Sequence, residues 1–243
     1  MHRFYSASEN VSRDRIIISD SQELHHLKDV LRLEAGDEAA VFDDKGNVYK
    51  VQVESLSSRN VVLKVKDIRK SDKSNKVSIT IGCAVPKKSK MDDIVDKLTQ
   101  LGVDRIIPLM TQRVIVKFDK DKKSGRQKRW QKIALNASKQ SQRNTVPVVE
   151  AITDFDEVIR RAQDFDLKLI PNLTGKRHTL KEILEQKKPG SVLVLIGPEG
   201  DFSPEEISMA IKAGFRPITF GDYVFRVETA AVYVAGILNY EFS

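Results

Sequence analysis

The 243-residue chain has little cysteine and little histidine. Its single cysteine, Cys83, excludes an internal disulfide and is typical of a reducing compartment. Because Cys83 stands among alternating apolar residues, we interpret it as a small, buried hydrophobic side chain. The four histidines lack the paired spacing of metal ligands, so we expect no metal site.

Long apolar runs and a secretory leader are also missing. The first five residues contain no apolar segment of the kind that a signal peptide requires. The most apolar helix, around residues 230–238, is too short to span a bilayer. We therefore expect no membrane association and a cytoplasmic location.

Three nucleotide-binding and hydrolase motifs are absent. The chain has neither the G-x-x-x-x-G-K-[ST] loop of P-loop NTPases nor a G-x-G-x-x-G turn after a strand. It also lacks the G-x-S-x-G turn that carries the nucleophile of α/β-hydrolases. These absences argue against a P-loop NTPase, a Rossmann enzyme and a serine hydrolase.

The net charge of +7 is concentrated in the middle of the chain. Residues 71–150 hold 18 Lys and Arg against 8 Asp and Glu, and residues 113–143 hold 11 against 2. Trp130, Asn136, Gln140 and Arg143 are interleaved with these basic residues. Such a one-sided block favours a nucleic-acid partner, the alternative being a solvated, lysine-rich loop and helix face. The adjacent His25 and His26 are then either structural or RNA-facing.

The pattern of apolar residues changes near residue 70. Residues 1–70 contain several short alternating strands and one helix, which is typical of a small barrel. A polar linker covers residues 70–76, and strands then alternate with helices, as in a parallel α/β sheet. One predicted strand spans residues 114–116. Ser203 to Glu206 form a capping box with proline at the first turn of a helix.

Two glycine-bearing loops follow strands near the C-terminus. Residues 195–201 read L-I-G-P-E-G-D, and residues 220–230 read F-G-D-Y-V-F-R-V-E-T-A before an apolar helix. Glycine permits the turns that bring a backbone close to a ligand, and α/β proteins bind ligands beyond the carboxyl ends of their strands. We therefore predict one pocket formed by both loops.

These loops, together with motifs along the whole chain, resemble the RsmE family of 16S rRNA (uracil-N3)-methyltransferases in the SPOUT superfamily. The C-terminal motifs are I-G-P-E-G with F-S-x-x-E-I at residues 196–207, and G-x-x-x-x-R-x-E-T-A at residues 221–230. Weaker matches are H-R-F at residues 2–4, H-H-L-x-x-V-L-R-L at 25–33 with G-D at 36–37, L-G-V at 101–103 with I-P at 107–108, R-W at 129–130, and A-x-x-Q-S-x-R at 137–143.

The resemblance implies a fold and a reaction. The fold is an α/β SPOUT methyltransferase domain at residues 72–243 with a C-terminal trefoil knot, preceded by a small PUA-like RNA-binding β-barrel domain at residues 1–71. The reaction is S-adenosyl-L-methionine-dependent methylation of uracil N3, at a uridine-1498 type site of 16S rRNA in the small ribosomal subunit. A homodimer formed through the SPOUT domain is also implied.

The resemblance also carries roles over to individual positions. Cofactor binding is expected at Leu173, Ile196, Gly197, Glu199, Gly200, Phe220, Gly221, Val224, Phe225 and Arg226. The charge distribution places the candidate RNA contacts in the basic middle of the chain, at Lys87, Lys88, Arg113, Gln140 and Arg143, with Arg3 and Arg32 on the barrel. The alternative for the glycines is a plain strand-to-helix turn.

Arg226 is the candidate catalytic residue. Uracil N3 becomes a good nucleophile only after losing its proton, and a fixed guanidinium stabilises the charge that develops. A salt bridge to Glu228 is the alternative role for Arg226. Glu199 or Glu228 could accept the proton only with a raised pKa.

Two departures from the family pattern leave other functions open. Asp201 stands where the family has a second glycine, and Tyr223 and Val227 replace an arginine and a threonine. One alternative is a SPOUT enzyme that methylates another RNA target or atom, such as a ribose 2′-OH. The other is a non-catalytic RNA-binding or assembly factor that has lost the cofactor.

Overall fold

The structure is a computed structural model that describes residues 2–70, 76–87, 90–114, 120–173, 175–185 and 188–242, without the side chains of residues 120–123. The chain divides into two compact units. The first comprises Met1–Ser74 with Ser138–Val146, and the second comprises Asn75–Ala137 with Pro147–Ser243. The inclusion of Ser138–Val146 in the first unit was not expected from the sequence, and the domain boundary after residue 71 stays a prediction.

The first unit is built on a five-stranded sheet in the order β1-β3-β4-β5-β2. Only the β1–β3 pair is parallel. Alternating side chains of these strands bury an apolar cluster that includes Phe4, Ile16 and Leu63. The strands are β1 (Arg3–Tyr5), β2 (Arg15–Ile18), β3 (Glu38–Phe42), β4 (Val48–Leu56) and β5 (Val61–Arg69).

A short helix, α1 (Ser21–His25), follows β2 and continues as a π-helical turn, His26–Val30. Asp20 caps α1, as its carboxylate accepts hydrogen bonds from the N–H groups of Gln22 and Glu23, both at 3.0 Å. Asp20 thus fixes the start of the helix that the sequence predicts within residues 1–70.

The second unit contains an eight-stranded sheet in the order β11-β13-β10-β12-β6-β7-β8, with β9 paired to β7, and all its described pairs are parallel. The central strands β6, β7 and β12 are almost continuously apolar, as expected for a sheet covered on both faces. The strands are β6 (Ser78–Ala84), β7 (Arg105–Met110), β8 (Val148–Val149), β9 (Thr153–Asp154), β10 (Leu167–Pro171), β11 (His178–Thr179), β12 (Ser191–Ile196) and β13 (Arg216–Thr219).

The described part of the chain contains six further α-helices: α2 (Lys90–Gln100), α3 (Lys120–Gln140), α4 (Phe155–Arg161), α5 (Leu180–Leu184), α6 (Pro204–Lys212) and α7 (Val227–Phe242). The predicted capping box of α6 is present, since Ser203 and Glu206 bond each other's backbone N–H. Gly102 ends α2 at a φ of +84°, a conformation that favours glycine.

The α/β fold with a parallel sheet agrees with the prediction from the sequence. Cys83 is confirmed as buried, and burial, followed by the negative charges of Glu228 and Glu199, raises the pKa of its thiol to about 12. The predicted strand at 114–116 is not seen at Val114, and its other two residues lie outside the described part. The trefoil knot stays a prediction.

Candidate active site

Three adjacent parallel strands place the two glycine-bearing loops together. β10 lies between β13 and β12, so the carboxyl ends of all three strands meet at one edge of the sheet. The loops that leave this edge follow Pro171, Ile196 and Thr219. This is the position at which α/β sheets bind ligands.

A cavity of about 360 Å³ lies among these loops, within the range of small-molecule sites. Eight of the ten predicted cofactor residues line it: Leu173, Ile196, Gly197, Glu199, Phe220, Gly221, Val224 and Phe225. Gly200 and Arg226 are not part of the lining, although each is flanked by a lining residue. The sequence reasoning missed other lining residues, which include Asn172, Arg177, Asp201, Asp222, Tyr223 and Ala230.

The loop after β13 owes its shape to glycine and to aromatic packing. Gly221 has a φ of +104°, and its N–H donates to the Thr219 hydroxyl at 3.2 Å. Phe220 stacks on Phe225 at 5.9 Å between ring centroids, and both rings pack edge-on against Tyr233. In contrast, Tyr223 and Val224 are 80% and 73% exposed on the cavity wall.

The loop after β12 packs tightly at its first glycine. A Cβ on Gly197 would lie 3.0 Å from the Phe202 ring, so a larger residue would displace that ring. The N–H of Asp201 donates to the Pro198 carbonyl at 2.9 Å, which closes a turn over residues 198–201. This turn lies between β12 and α6 and also forms part of the cavity wall.

Two side chains brace this loop from outside the cavity. Arg113 donates hydrogen bonds to the carbonyls of Gly200 and Phe202, the second at 3.3 Å. Glu206, which is 2% exposed, accepts from the N–H groups of Ser203 and Gln112, both at 2.8 Å. The loop is therefore held within its turn, at Gly200, and just after it, at Phe202 and Ser203.

Arg226 immediately precedes α7 and is exposed. The ion pairs found among the described residues do not include Arg226, and Glu228 pairs with Lys90 instead, at 2.6 Å between Nζ and Oε1. Burial acts to raise the pKa of Glu228, but the hydrogen bonds from Lys90 and from its own backbone, with the charges of Lys90 and Arg226, lower it overall. Glu228 is thus held as a carboxylate and is a weak proton acceptor.

The RNA candidates lie in different settings. Arg3 is half-buried, donating to Asn144 Oδ1 at 2.8 Å and to the Arg143 carbonyl at 3.2 Å, with its guanidinium 5.4 Å from the Phe42 ring centroid. Arg143 is half-buried and donates to Thr145 Oγ1 at 3.3 Å. Lys87, Arg113 and Gln140 are exposed, and Lys88 lies outside the described residues.

Arg32 is exposed and adopts a left-handed φ of +52°. With Lys28 it lines a shallow cavity of about 420 Å³ on the first unit.

The two adjacent histidines of the first unit have different partners. His25 pairs with Asp29 at 2.7 Å, and His26 packs edge-on against Phe4 at 5.8 Å between ring centroids. His26 therefore has a packing role.

One part of the charge argument is wrong. Trp130 is 1% exposed and donates from Nε1 to Asp92 Oδ1 at 3.0 Å, so it belongs to the core of the second unit and cannot stack on RNA. Arg129, one residue earlier, pairs with the same Asp92 carboxylate. This face of α3 is therefore partly neutralised.

Within the residues that the structure describes, no cluster of three or more His, Cys, Asp or Glu side chains is arranged to hold a metal ion. No helix in that part of the chain is long and apolar enough to cross a membrane.

Comparison with known proteins supports the interpretation of both units. Residues 73–239 match a family described as RNA methyltransferase domain, and residues 18–66 match one described as RNA methyltransferase PUA domain. Ribosomal RNA small subunit methyltransferase E of Bacillus subtilis is 29% identical over 90% of this chain and 88% of its own length. Its namesake from Synechocystis is 30% identical over 98% of this chain and 77% of its own length.

Solved structures agree. A Legionella pneumophila protein in complex with S-adenosylmethionine superposes with a TM-score of 0.86, at 29% identity over 98% of this chain and 96% of its own. Ribosomal RNA small subunit methyltransferase E of Neisseria gonorrhoeae, also bound to S-adenosylmethionine, superposes with a TM-score of 0.85. The two are 28% identical over 99% of this chain and 97% of the Neisseria chain. The resemblance to the RsmE family is confirmed, and this chain belongs to the RNA methyltransferase family.

Proposed function

We propose that this protein transfers a methyl group from S-adenosylmethionine (SAM) to N3 of one specific uridine of 16S rRNA in the small ribosomal subunit. The observation that carries the proposal is the cavity of about 360 Å³ among three loops at the carboxyl edge of the sheet. Structural relatives that superpose over nearly the whole chain were solved with SAM bound. The names of the sequence relatives supply the ribosomal substrate.

The cavity fits such a cofactor in its size and in the chemistry of its wall. Leu173, Val224 and Tyr223 are 48%, 73% and 80% exposed there, which is apolar surface that an adenine ring can cover. We assign cofactor binding to the eight predicted residues that line the cavity. Gly200 and Arg226 do not line it but are adjacent to these residues in sequence.

Bound SAM supplies a methyl carbon attached to a positively charged sulfur. For N3 to attack that carbon, its proton must leave, and negative charge then spreads over O2 and O4 of the ring. Arg226 is exposed next to the cavity wall, and its guanidinium is a planar cationic group with several hydrogen-bond donors. Its role is to stabilise the developing uracil anion electrostatically.

Glu228 and Glu199 are the two carboxylates that could accept the proton from N3. Glu228 is a poor candidate, because its paired carboxylate has a lowered pKa. Glu199 lies exposed on the cavity wall and is the other carboxylate within this site that the sequence suggested. Its replacement by glutamine should lower turnover only if it accepts the proton.

RNA binding is assigned to basic and polar residues of both units: Arg3, Arg32, Lys87, Lys88, Arg113, Gln140 and Arg143. Most of these side chains would touch phosphate, which positions the RNA without reading its bases. The target uridine must leave its stack to reach the cofactor. RNA affinity should therefore fall steeply with salt, and a flat salt response would refute this assignment.

A homodimer formed through the second unit completes the proposal. A cavity of about 620 Å³ lies along α5 and α7, with an exposed Tyr240 (85%) and a partly exposed Tyr233 (41%) on its wall. A second copy of the chain would cover this surface. The ribosomal substrate favours the cytoplasm as the place of action.

Reverse transcription across 16S rRNA from treated subunits tests the position of the methyl group. N3 lies on the pairing edge of uracil, so a methyl group there blocks base pairing, whereas a ribose 2′-O-methyl group does not. We expect one cofactor-dependent stop at a single uridine in subunits that lacked the modification. Methylation without any stop would move the target to another atom.

A further inference from the structure

Asp201 has a backbone conformation that favours glycine. Its φ is +62°, and only three described non-glycine residues have a positive φ. Side chains in this left-handed region cost conformational energy that glycine avoids. The RsmE pattern has glycine at this position, whereas this chain carries a carboxylate on the cavity wall.

The carboxylate of Asp201 makes two hydrogen bonds that glycine cannot make. Oδ1 accepts from the N–H of Phe202 at 2.8 Å, within the same loop. Oδ2 accepts from the N–H of Leu173 at 3.2 Å. Leu173 belongs to the loop after β10, so this second bond joins two separate walls of the cavity.

Other hydrogen bonds hold the residue before Leu173, one of which runs from Arg177 Nη1 to the Asn172 carbonyl at 3.2 Å. The N–H of Asn172 donates to the Ile218 carbonyl at 3.1 Å, which continues the pairing of β10 with β13. The next N–H, that of Leu173, points instead to Asp201. The side chain of Leu173 is 48% exposed and is part of the cavity wall.

We infer that Asp201 is a positioning residue that ties the Leu173 loop to the loop after β12 and so pre-organises the cofactor cavity. The inference rests on the proposed function for the identity of the ligand. A loop that is fixed before binding does not have to be ordered by the ligand, and affinity rises accordingly. The hydrogen bonds to a charged carboxylate offset the unfavourable backbone conformation.

The Asp201→Gly variant restores the family residue and tests this inference. It removes both hydrogen bonds and also relieves the left-handed backbone. We expect the Kd for SAM to rise about tenfold, since charge-assisted hydrogen bonds contribute that much or more. We expect the Tm to change by less than about 4 °C, because the loss of the hydrogen bonds and the relief of the left-handed backbone act in opposite directions.

Asp222→Gly is the matched control. Asp222 is a carboxylate on the wall of the same cavity, but it is exposed and lies on the loop after β13. This variant removes the same charge without removing a bond between loops, and we expect a rise in Kd below about threefold. Equal losses in both variants would assign the effect to charge and overturn the positioning role.

Amide exchange of Leu173 is the direct readout and needs no cofactor. Exchange at this N–H should be clearly faster in Asp201→Gly than in the unsubstituted protein, with little change in β12. Unchanged exchange, or an unchanged Kd for SAM, would overturn the inference. Failure of the unsubstituted protein to bind SAM would count against the proposed function instead, and the exchange experiment would still decide whether Asp201 joins the loops.

Discussion

Replacing Arg113 by methionine tests how the loop after β12 is held in place. The Arg113 guanidinium donates to the carbonyls of Gly200 and Phe202, on either side of Asp201. Its stem also packs on the loop, as a Cβ on Gly200 would lie 3.6 Å from Arg113 Cδ. Methionine keeps much of this stem and removes only the donors and the charge.

The expected effect on SAM affinity depends on how many hydrogen bonds Arg113 makes and on how exposed its side chain is to water. A hydrogen bond to a charged group contributes about 1.5–3 kcal/mol when it is well shielded from water. Arg113 is exposed, so we expect its two bonds together to contribute about 1–2 kcal/mol. If the braced loop is the one that binds SAM, the Kd should rise about five- to thirtyfold.

Isothermal titration with SAM and RNA binding at several salt concentrations separate the two roles open to Arg113. The Arg113→Lys variant keeps the charge and is the control, with RNA affinity expected to be retained and SAM affinity partly lost. An unchanged Kd for SAM, with a salt slope for RNA binding reduced by about one, would refute the bracing role and make Arg113 a phosphate contact.

Three further predictions concern other parts of the second unit. Arg226→Ala should lower turnover about 10²- to 10³-fold at saturating cofactor and change the Kd for SAM by less than about threefold; unimpaired turnover would refute its electrostatic role. Glu206→Ala should lower the free energy of unfolding by about 1–3 kcal/mol, because the buried N–H of Ser203 and the part-buried N–H of Gln112 lose their acceptor; urea denaturation showing a loss below about 0.5 kcal/mol would contradict this. Because burial raises the pKa of the Cys83 thiol to about 12, Cys83 should react with a thiol reagent at pH 8 only after the protein unfolds. Rapid labelling of the folded protein would show that the thiol is accessible and reactive, contrary to this prediction.

The elements that could be predicted from the sequence are those whose defining residues interact with close neighbours along the chain. Ser203 and Glu206, for example, form a capping box across three residues. The two glycine loops could be placed in one cavity because parallel strands bring their carboxyl ends to one edge. That argument needs only the order of strands and loops.

Contacts between distant residues could not be predicted in this way. Arg113 is 87 residues from Gly200, and Leu173 is 28 residues from Asp201, so no periodicity links them. The strands Val148–Val149 and Thr153–Asp154 are too short to show alternation. Trp130 was misread because composition places it among lysines, whereas its position on α3 turns it toward Asp92.

Nucleoside mass spectrometry tests the central claim most directly. Small ribosomal subunits that lack the modification would be incubated with the protein and with SAM carrying a deuterated methyl group, and their 16S rRNA would be digested to nucleosides. The account predicts labelled 3-methyluridine that forms only when protein and cofactor are both present. A different labelled nucleoside, or no labelled nucleoside at all, would contradict it.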